Sequence, residues 1–227
     1  MDEAFPAQEI EDAGYDCTVR GQKSYNGVAI LSRKPLEDVT TELPGDPSDD
    51  QARYVEAVTD FSGGVIRVAS IYLPNGNPVD GEKFPYKLNW MERLRDHAGK
   101  LLEYEEPLVL GGDYNVIPND EDVYDPEAWR EDALARSEIR REFRALLHLG
   151  FTDAVQTTHP NGGAYTFWDY KGGAWKNDRG LRLDHLLLSP QAADRLFSCG
   201  IDRGPRGLEK PSDHTPVWCE LEETSPY

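Results

Sequence analysis

The chain has 227 residues, enough for one large domain with a substantial core. Its 24 basic and 42 acidic residues give a formal net charge of -18, which excludes a protein that holds nucleic acid by bulk electrostatic attraction. No apolar run approaches the roughly 20 residues that span a bilayer, and three scattered cysteines form neither a disulfide nor a metal pattern, so we expect a cytoplasmic protein.

Short apolar or β-branched segments predict strands along the whole chain. In order, they are residues 28–32, 54–58, 65–73, 107–112, 183–189 and 217–221. Apolar residues at helical spacing predict a helix over 82–104, and a second helix is predicted from Ser137, as its cap, to Leu149. Strands outnumber helices and several follow one another directly, which favours sheets packed face to face with helices outside. No internal repeat or composition break occurs, so we predict a single domain over residues 1–227.

Polar residues gather at the ends of four predicted strands. They are Tyr72 and Asn75, Asp113 and Asn115, Asp184, and Asp213 with His214. Each group could instead form a local turn, and Asp184 could pair with Arg182. The recurrence of one feature at four strand ends favours a common site.

Carboxylate, amide and imidazole groups of this kind form a set of hard donors. Carboxylates brought together repel, so one takes up a proton unless a divalent cation neutralises them. Mg²⁺ prefers oxygen ligands and is often shared with a substrate phosphate, and Mn²⁺ is an acceptable substitute. Zinc would require more histidine or cysteine. The set therefore predicts Mg²⁺-dependent attack of water on a phosphodiester.

The motifs in this order resemble the exodeoxyribonuclease III family of apurinic/apyrimidinic endonucleases, within the endonuclease/exonuclease/phosphatase superfamily. The stretches that carry the resemblance include GQKSYNG, YLPNGNP, GGDYNV, TFWDY, GLRLDHLLLS and EKPSDHTPVW. The resemblance implies an α+β fold, a four-layered α/β/β/α sandwich of two mixed sheets with the site at one edge. It also implies a monomeric, Mg²⁺-dependent 3′–5′ exonuclease and abasic-site endonuclease of base-excision repair, acting on double-stranded DNA with abasic sites or 3′ ends.

The resemblance further implies a role for each site residue. The catalytic residues would be Tyr72, Asp113, Asn115, Asp184 and His214, and the metal ligands would be Asp213 with, in some arrangements, Asp113, Asn115 and His214. Asp113 would activate a water held by Asn115, and Tyr72 would contact the phosphate or the leaving oxygen. His214, held by Asp184, would bond a phosphate oxygen or accept the proton. One or two metal ions are compatible with these roles.

Two groups of DNA contacts are implied as well. The loop residues Lys23, Ser24, Tyr25, Asn26 and Gly27, together with Asn75, would contact the strand backbone. Phe167, Trp168 and Leu181 would form the apolar pocket for an extrahelical abasic sugar. The alternative for TFWDY is plain core packing, with Trp168 buried.

The negative net charge requires local positive charge for DNA binding. The candidates are Lys23, Arg33, Lys171, Lys176, Arg179, Arg182, Arg206 and Lys210. We expect these residues to line one face of the protein.

The first residues depart from the family pattern. Relatives begin with a strand that carries Asn in an NVN-like motif and a second strand that ends in QET, whose Glu is a metal ligand, and neither motif occurs here. Glu3 and Glu9 stand in the wrong context to replace that Glu. We expect a start codon assigned too late, with a truncated gene or an expression fragment as the alternatives.

Two other functions are compatible with the same residues. One is a superfamily relative that acts on a small or lipid phosphodiester, and the other is a catalytically impaired remnant that still binds DNA. The stretches GQKSYNG and TFWDY favour DNA over a small substrate, whereas the absence of the QET Glu favours the remnant.

Overall fold

A computed structural model describes residues 4–61 and 64–222 of the chain. Its helices are α1 (Ala7–Asp12), α2 (Lys83–Leu102), α3 (Pro126–Trp129), α4 (Ser137–Leu147), α5 (Ala154–Thr158) and α6 (Pro190–Ala193). Its strands are β1 (Asp16–Gly21), β2 (Gly27–Ser32), β3 (Leu36–Thr40), β4 (Tyr54–Phe61), β5 (Gly64–Tyr72), β6 (Leu108–Asp113), β7 (Thr152–Asp153), β8 (Asp184–Leu188), β9 (Leu196–Ile201) and β10 (Val217–Leu221). None of the helices in these two ranges is long and apolar enough to span a membrane.

A six-stranded mixed sheet forms the centre of the fold, in the order β3-β4-β5-β6-β8-β7. Strands β5 and β6 are parallel and are joined by α2, while the other neighbours are antiparallel. In this register Tyr72 pairs with Asp113, and Asp113 pairs with Asp184 on β8. The three polar residues therefore lie side by side on adjacent inner strands, where these strands end.

Helices α2 and α4 pack together and cover one face of this sheet. The apolar side of α2 buries Trp90, Met91 and Leu94 almost completely. Both predicted helices are confirmed within two residues at each end. The predicted cap is wrong, because Arg136 holds the cap position and makes no side-chain cap bond, while the Ser137 hydroxyl donates to Glu138.

The opposite face carries two separate antiparallel ribbons, β1–β2 and β9–β10. Val28 and Ile30 of β2 pack on Val55 and Ala57 of the central sheet. The second ribbon packs its side chains on β5, β6 and β8. In the described ranges no strand joins the two ribbons, so the second layer of the predicted sandwich consists of two pieces. The α+β class is confirmed.

The middle of this face is incompletely covered. Val68 and Ser70 of β5, Gly111 of β6 and Leu186 of β8 point towards the ribbons and remain only partly buried, although their strands are central. Glu9 is exposed on α1, and Glu3 lies outside the described residues. The open strip continues along β6 towards Asp113.

Candidate active site

The chain after β6 turns sharply and brings an amide next to a carboxylate. Gly112 has φ +146°, and a Cβ there would lie 2.0 Å from the carbonyl oxygen of Ile71, so only glycine allows β6 to approach β5 so closely. Asn115 adopts the left-handed region, with φ +48°. Its backbone N–H donates to Asp113 Oδ1 at 2.8 Å, which forms an Asx-type turn. The motif therefore forms the local turn, and the same turn sets the Asn115 amide beside the Asp113 carboxylate.

The side-chain amide of Asn115 is fully engaged. Its Nδ2 donates to Asp113 Oδ2 at 3.1 Å and to the carbonyl oxygen of Leu73 at 2.9 Å. Its Oδ1 accepts a hydrogen bond from Asn75 Nδ2 at 3.1 Å. With 5% exposure, Asn115 orients the Asp113 carboxylate and ties it to the Asn75 loop.

His214 lies between the two carboxylates of the adjacent strands. Its Nδ1 is 2.8 Å from Asp184 Oδ2, and its Nε2 is 3.8 Å from Asp113 Oδ2. The alternative pairing of Asp184 with Arg182 is wrong, because Arg182 bonds two other buried carboxylates, those of Asp122 and Asp153.

A buried segment brings the last loop to β8. The Thr166 hydroxyl oxygen accepts from the backbone N–H groups of Leu183 and Asp184, at 3.0 and 3.1 Å. The Thr166 carbonyl accepts from the Thr215 N–H, and Trp168 N–H donates to the carbonyl of Asp213. The segment therefore connects the start of β8 with the loop that carries His214.

Burial and charge shift the protonation of these groups. Burial, with the Asp184 charge, raises the pKa of Asp113 to about 7, against the opposing influence of His214. Burial opposes protonation of His214, but the hydrogen bond to Asp184 and the surrounding carboxylates raise its pKa to about 9. Burial and the Asp113 charge also raise the pKa of Tyr72. At neutral pH the site contains a protonated imidazole, a phenol and a carboxylate near its midpoint.

The donor chemistry fits a divalent cation. The described part of the chain contains no group of three or more Cys, His, Asp or Glu residues arranged to hold a metal. Mg²⁺ commonly takes only one or two protein carboxylates and completes its shell with water and substrate phosphate. Asp113 is a half-buried carboxylate whose charge is incompletely balanced, and Asp213 is near enough to raise the pKa of Tyr72 and His214.

The predicted DNA loop connects to Tyr72 through two residues. Lys23, Ser24, Tyr25 and Asn26 lie in the loop between β1 and β2, Gly27 is the first residue of β2, and Tyr25 is 85% exposed. Asn26 donates to Gln51 Oε1 at 3.2 Å, and Arg53 Nε donates to the same atom at 2.7 Å. The Arg53 guanidinium lies 5.0 Å from the centre of the Tyr72 ring. The sequence prediction missed Arg53. Its position could have indicated a role, because it ends the polar stretch DDQAR (residues 49–53) directly before β4.

The predicted apolar pocket is present in part. Phe167 and Leu181 line a cleft of about 190 Å³, and the Phe167 ring lies 5.1 Å from the His214 ring. The other lining residues are Tyr124, Trp129, Asp169, Lys171, Gly172, Ala174 and Arg179. Trp168 has no exposed surface and donates its Nε1–H to Asp178, so its assignment to the pocket was wrong and it belongs to the core.

The predicted basic face is only partly present. Lys171 and Arg179 line the cleft beside Phe167. Arg182 and Arg206 are almost fully buried, at 1% and 5% exposure, and Arg206 donates to the carbonyl of Trp168. Their placement on a DNA-binding face was therefore wrong, since both bond to interior acceptors.

The layered α+β fold carries a centre of two carboxylates and an imidazole, formed by Asp113, Asp184 and His214. This combination is typical of a class of layered α+β hydrolases. The chain belongs to the endonuclease/exonuclease/phosphatase family, whose model matches residues 2–214.

Individual relatives indicate which members of the family the chain resembles. The chain is 32% identical to exodeoxyribonuclease III of Haemophilus influenzae over 97% of its length and 85% of that protein. The solved 3′–5′ exonuclease NExo of Neisseria meningitidis superposes with a TM-score of 0.92 at 42% identity, covering 97% of this chain and 84% of that one. An AP endonuclease structure from Archaeoglobus fulgidus gives 0.91 at 36% identity, with the same two coverages. The predicted family is confirmed.

Proposed function

We propose that this chain is a Mg²⁺-dependent DNA-repair nuclease that hydrolyses phosphodiesters beside abasic sites and at 3′ ends of duplex DNA. The observation that carries the proposal is the contact of Asp113, His214 and Asp184, next to Tyr72 and the cleft of Phe167. Relatives named exodeoxyribonuclease III and AP endonuclease support the substrate class.

Asp113 is the proposed general base. Its pKa of about 7 lies near the working pH, where a base both exists in the required form and accepts a proton readily. The two N–H donors of Asn115 hold the carboxylate in place. Asp113 therefore accepts the proton of the attacking water as the water oxygen bonds to phosphorus and the bond between phosphorus and the 3′ oxygen breaks, while the leaving 3′ oxygen takes up a proton from Tyr72 or from solvent.

His214 and Tyr72 are the proposed donors to the phosphate. The Nδ1–H of a protonated His214 donates to Asp184, which leaves Nε2–H for a non-bridging phosphate oxygen. The raised pKa of Tyr72 keeps its hydroxyl protonated, so it donates to the phosphate or to the leaving oxygen. Both groups stabilise negative charge that grows in the transition state.

Asp213 is the proposed ligand of Mg²⁺, with Mn²⁺ as a substitute, and Asp113 stays available as the base. When bound, the ion neutralises the carboxylates and the phosphate charge. The Asn115 oxygen already accepts from Asn75, so this residue acts in the proposal through orientation of Asp113.

DNA contact is proposed along the cleft and the β1–β2 loop. Phe167 offers most of the apolar wall for a sugar that has left the helix, since Leu181 is only 1% exposed, and Lys171 and Arg179 stand beside it for phosphates. Tyr25, exposed in the loop, provides a stacking surface.

Cleavage of an abasic duplex and of a duplex with a recessed 3′ end, each with Mg²⁺ and with EDTA, tests the function. We expect cleavage with Mg²⁺ only, and a loss of at least about 100-fold in Asp113→Asn and His214→Ala. His148→Ala, an exposed histidine at the end of α4, is the matched control and should retain activity.

Wild-type protein that leaves both duplexes intact would contradict the proposal. Hydrolysis of bis(p-nitrophenyl) phosphate without DNA cleavage would assign the chain to small phosphodiesters instead. DNA binding with neither activity would identify an impaired remnant.

A further inference from the structure

Lys87 occupies a core position of α2. It stands on the apolar stripe of this helix, in series with Phe84, Met91, Leu94 and Ala98 at spacings of three and four residues. Its side chain has 0% exposure, beneath the loops that carry the candidate active site. A lysine at such a position requires hydrogen-bond partners for its whole ammonium group.

Three backbone carbonyls supply these partners. The ammonium Nζ lies 2.6 Å from the oxygen of Asn115, 3.0 Å from that of Asn75 and 2.9 Å from that of Ala133. An ammonium group has three N–H donors, so each one has a carbonyl acceptor. The three acceptors belong to three separate segments, which follow β5, follow β6 and precede α4.

We propose that Lys87 is a positioning residue of the nuclease centre, which fixes Asn115 and Asn75 and thereby the orientation of the Asp113 carboxylate. This inference rests on the proposed function, because it assigns Lys87 a part in the same reaction. Lys87 contacts neither the substrate nor the reacting atoms.

The surrounding geometry makes the lysine specific for this task. Asn115 has a positive φ, a conformation that Asn adopts more readily than most residues and that here is held by contacts at both its N–H and its carbonyl. The hydrogen bond from Lys87 to its carbonyl is the shortest of the three, and Asp113 accepts the N–H of the same residue. Lys87 and Asp113 therefore hold the two ends of this one residue.

The neighbouring loop is also fitted to the lysine stem. Gly76 has φ +90°, and a Cβ there would meet Lys87 Cδ at 2.7 Å and Ala133 Cβ at 3.2 Å. The loop after β5 thus lies directly on the side chain. Movement of Lys87 would displace Asn75, whose amide bonds to Asn115.

If Lys87 were purely structural, its replacement would lower stability without a separate effect on turnover. Arg67 offers a matched control, since it is a buried cation with three partners, Glu56, Asp38 and Glu106. It lies near the opposite end of β5 from Tyr72. Arg67→Gln should therefore lower stability and leave kcat within about twofold of wild type.

The experiment compares wild type, Lys87→Gln, Lys87→Arg and Arg67→Gln on the abasic duplex, at a temperature where all are folded. Lys87→Gln should lower kcat about 100-fold, as small displacements of catalytic groups do, and change KM by less than about threefold. Lys87→Arg keeps the charge and several donors, so its kcat should lie between those of Lys87→Gln and wild type.

A readout without catalysis separates this inference from the proposed function. In protein labelled with ¹⁵N-asparagine, the side-chain amide signal of Asn115 should shift in Lys87→Gln and stay in place in Arg67→Gln. An inactive wild type would reject the function, while the amide signal would still test the positioning. Lys87→Gln with wild-type kcat or an unmoved amide signal overturns the proposal. If Lys87→Gln does not fold, Lys87→Arg with both a wild-type kcat and an unmoved Asn115 amide signal overturns the proposal.

Discussion

The two faces of the six-stranded sheet differ in how completely they are covered. The face under α2 and α4 is sealed by large side chains, such as Trp90, Met91 and Phe143, with almost no exposure. The face under the two ribbons leaves residues of its central strands partly exposed, including Val68 and Leu186. Alternation along the strands places Tyr72, Asp113 and Asp184 on this second, more open face. The helix face therefore provides stability, and the ribbon face provides access for chemistry.

The carboxylates on the two faces also differ in how completely their charge is balanced. On the helix face, Glu56 accepts hydrogen bonds from Tyr54, His97 and Arg67, which satisfies a buried carboxylate fully. On the ribbon face, Asp113 is left with a raised pKa beside another carboxylate. Charge that is balanced inside the protein supports the fold, whereas incompletely balanced charge is available to a cation or a substrate.

Adjacent leucines on β8 give the largest expected difference between the faces. Leu187 points to the helix face with 0% exposure, and its neighbour Leu186 points to the ribbons and is only partly buried. Leu187→Ala should lower the free energy of unfolding by about 3–4 kcal/mol, through lost burial and a cavity, and Leu186→Ala by about 1 kcal/mol. Urea unfolding of both variants measures the difference, and equal losses would contradict the contrast between the faces.

Much of this arrangement follows from the sequence because it depends on local pattern. Apolar runs predicted β2, β4, β5, β6, β8 and β10, and polar residues at their ends predicted the site. Strands β1, β3, β7 and β9 escaped prediction. In β1 and β9, DCTVRG and LFSCGI mix polar, small and apolar residues in a way that only pairing with the partner strand resolves.

The errors at the site have a different physical origin. Trp168, Arg182 and Arg206 are buried because partners distant in sequence accept their hydrogen bonds, for example Asp153 for Arg182. A single sequence gives residue types but not these pairings. Lys87 did leave a signal, since it stands at a stripe position of α2 where an apolar residue is expected.

The raised pKa of Asp113 predicts an effect of intermediate size on stability. A raised folded-state pKa contributes stability below the unfolded value near 4 and loses it as the pH rises through about 7. In metal-free protein at pH 8, Asp113→Asn removes a half-buried charge next to Asp184 and should raise the free energy of unfolding by about 2 kcal/mol.

The gain of Asp113→Asn should disappear near pH 4, where the wild-type carboxyl is protonated. Chemical unfolding in EDTA at both pH values measures this dependence. Glu92→Gln changes an exposed carboxylate on α2 and is the control, which should show little change at either pH. A gain of the same size at both pH values would show that buried charge is not the cause.

The smallest expected effect on stability belongs to the loop of the first ribbon. Tyr25 is 85% exposed between β1 and β2, so Tyr25→Ala should leave the melting temperature unchanged within about 1 °C. Loss of a stacking surface should nevertheless raise KM for the abasic duplex about tenfold, equivalent to about 1.4 kcal/mol of binding. Tyr104, also exposed but next to the helix face at the end of α2, provides the matched Tyr→Ala control with unchanged KM. Equal KM changes in the two variants would contradict a DNA contact at the β1–β2 loop. A fall in melting temperature for Tyr25→Ala alone would show that this loop contributes to the stability of the fold.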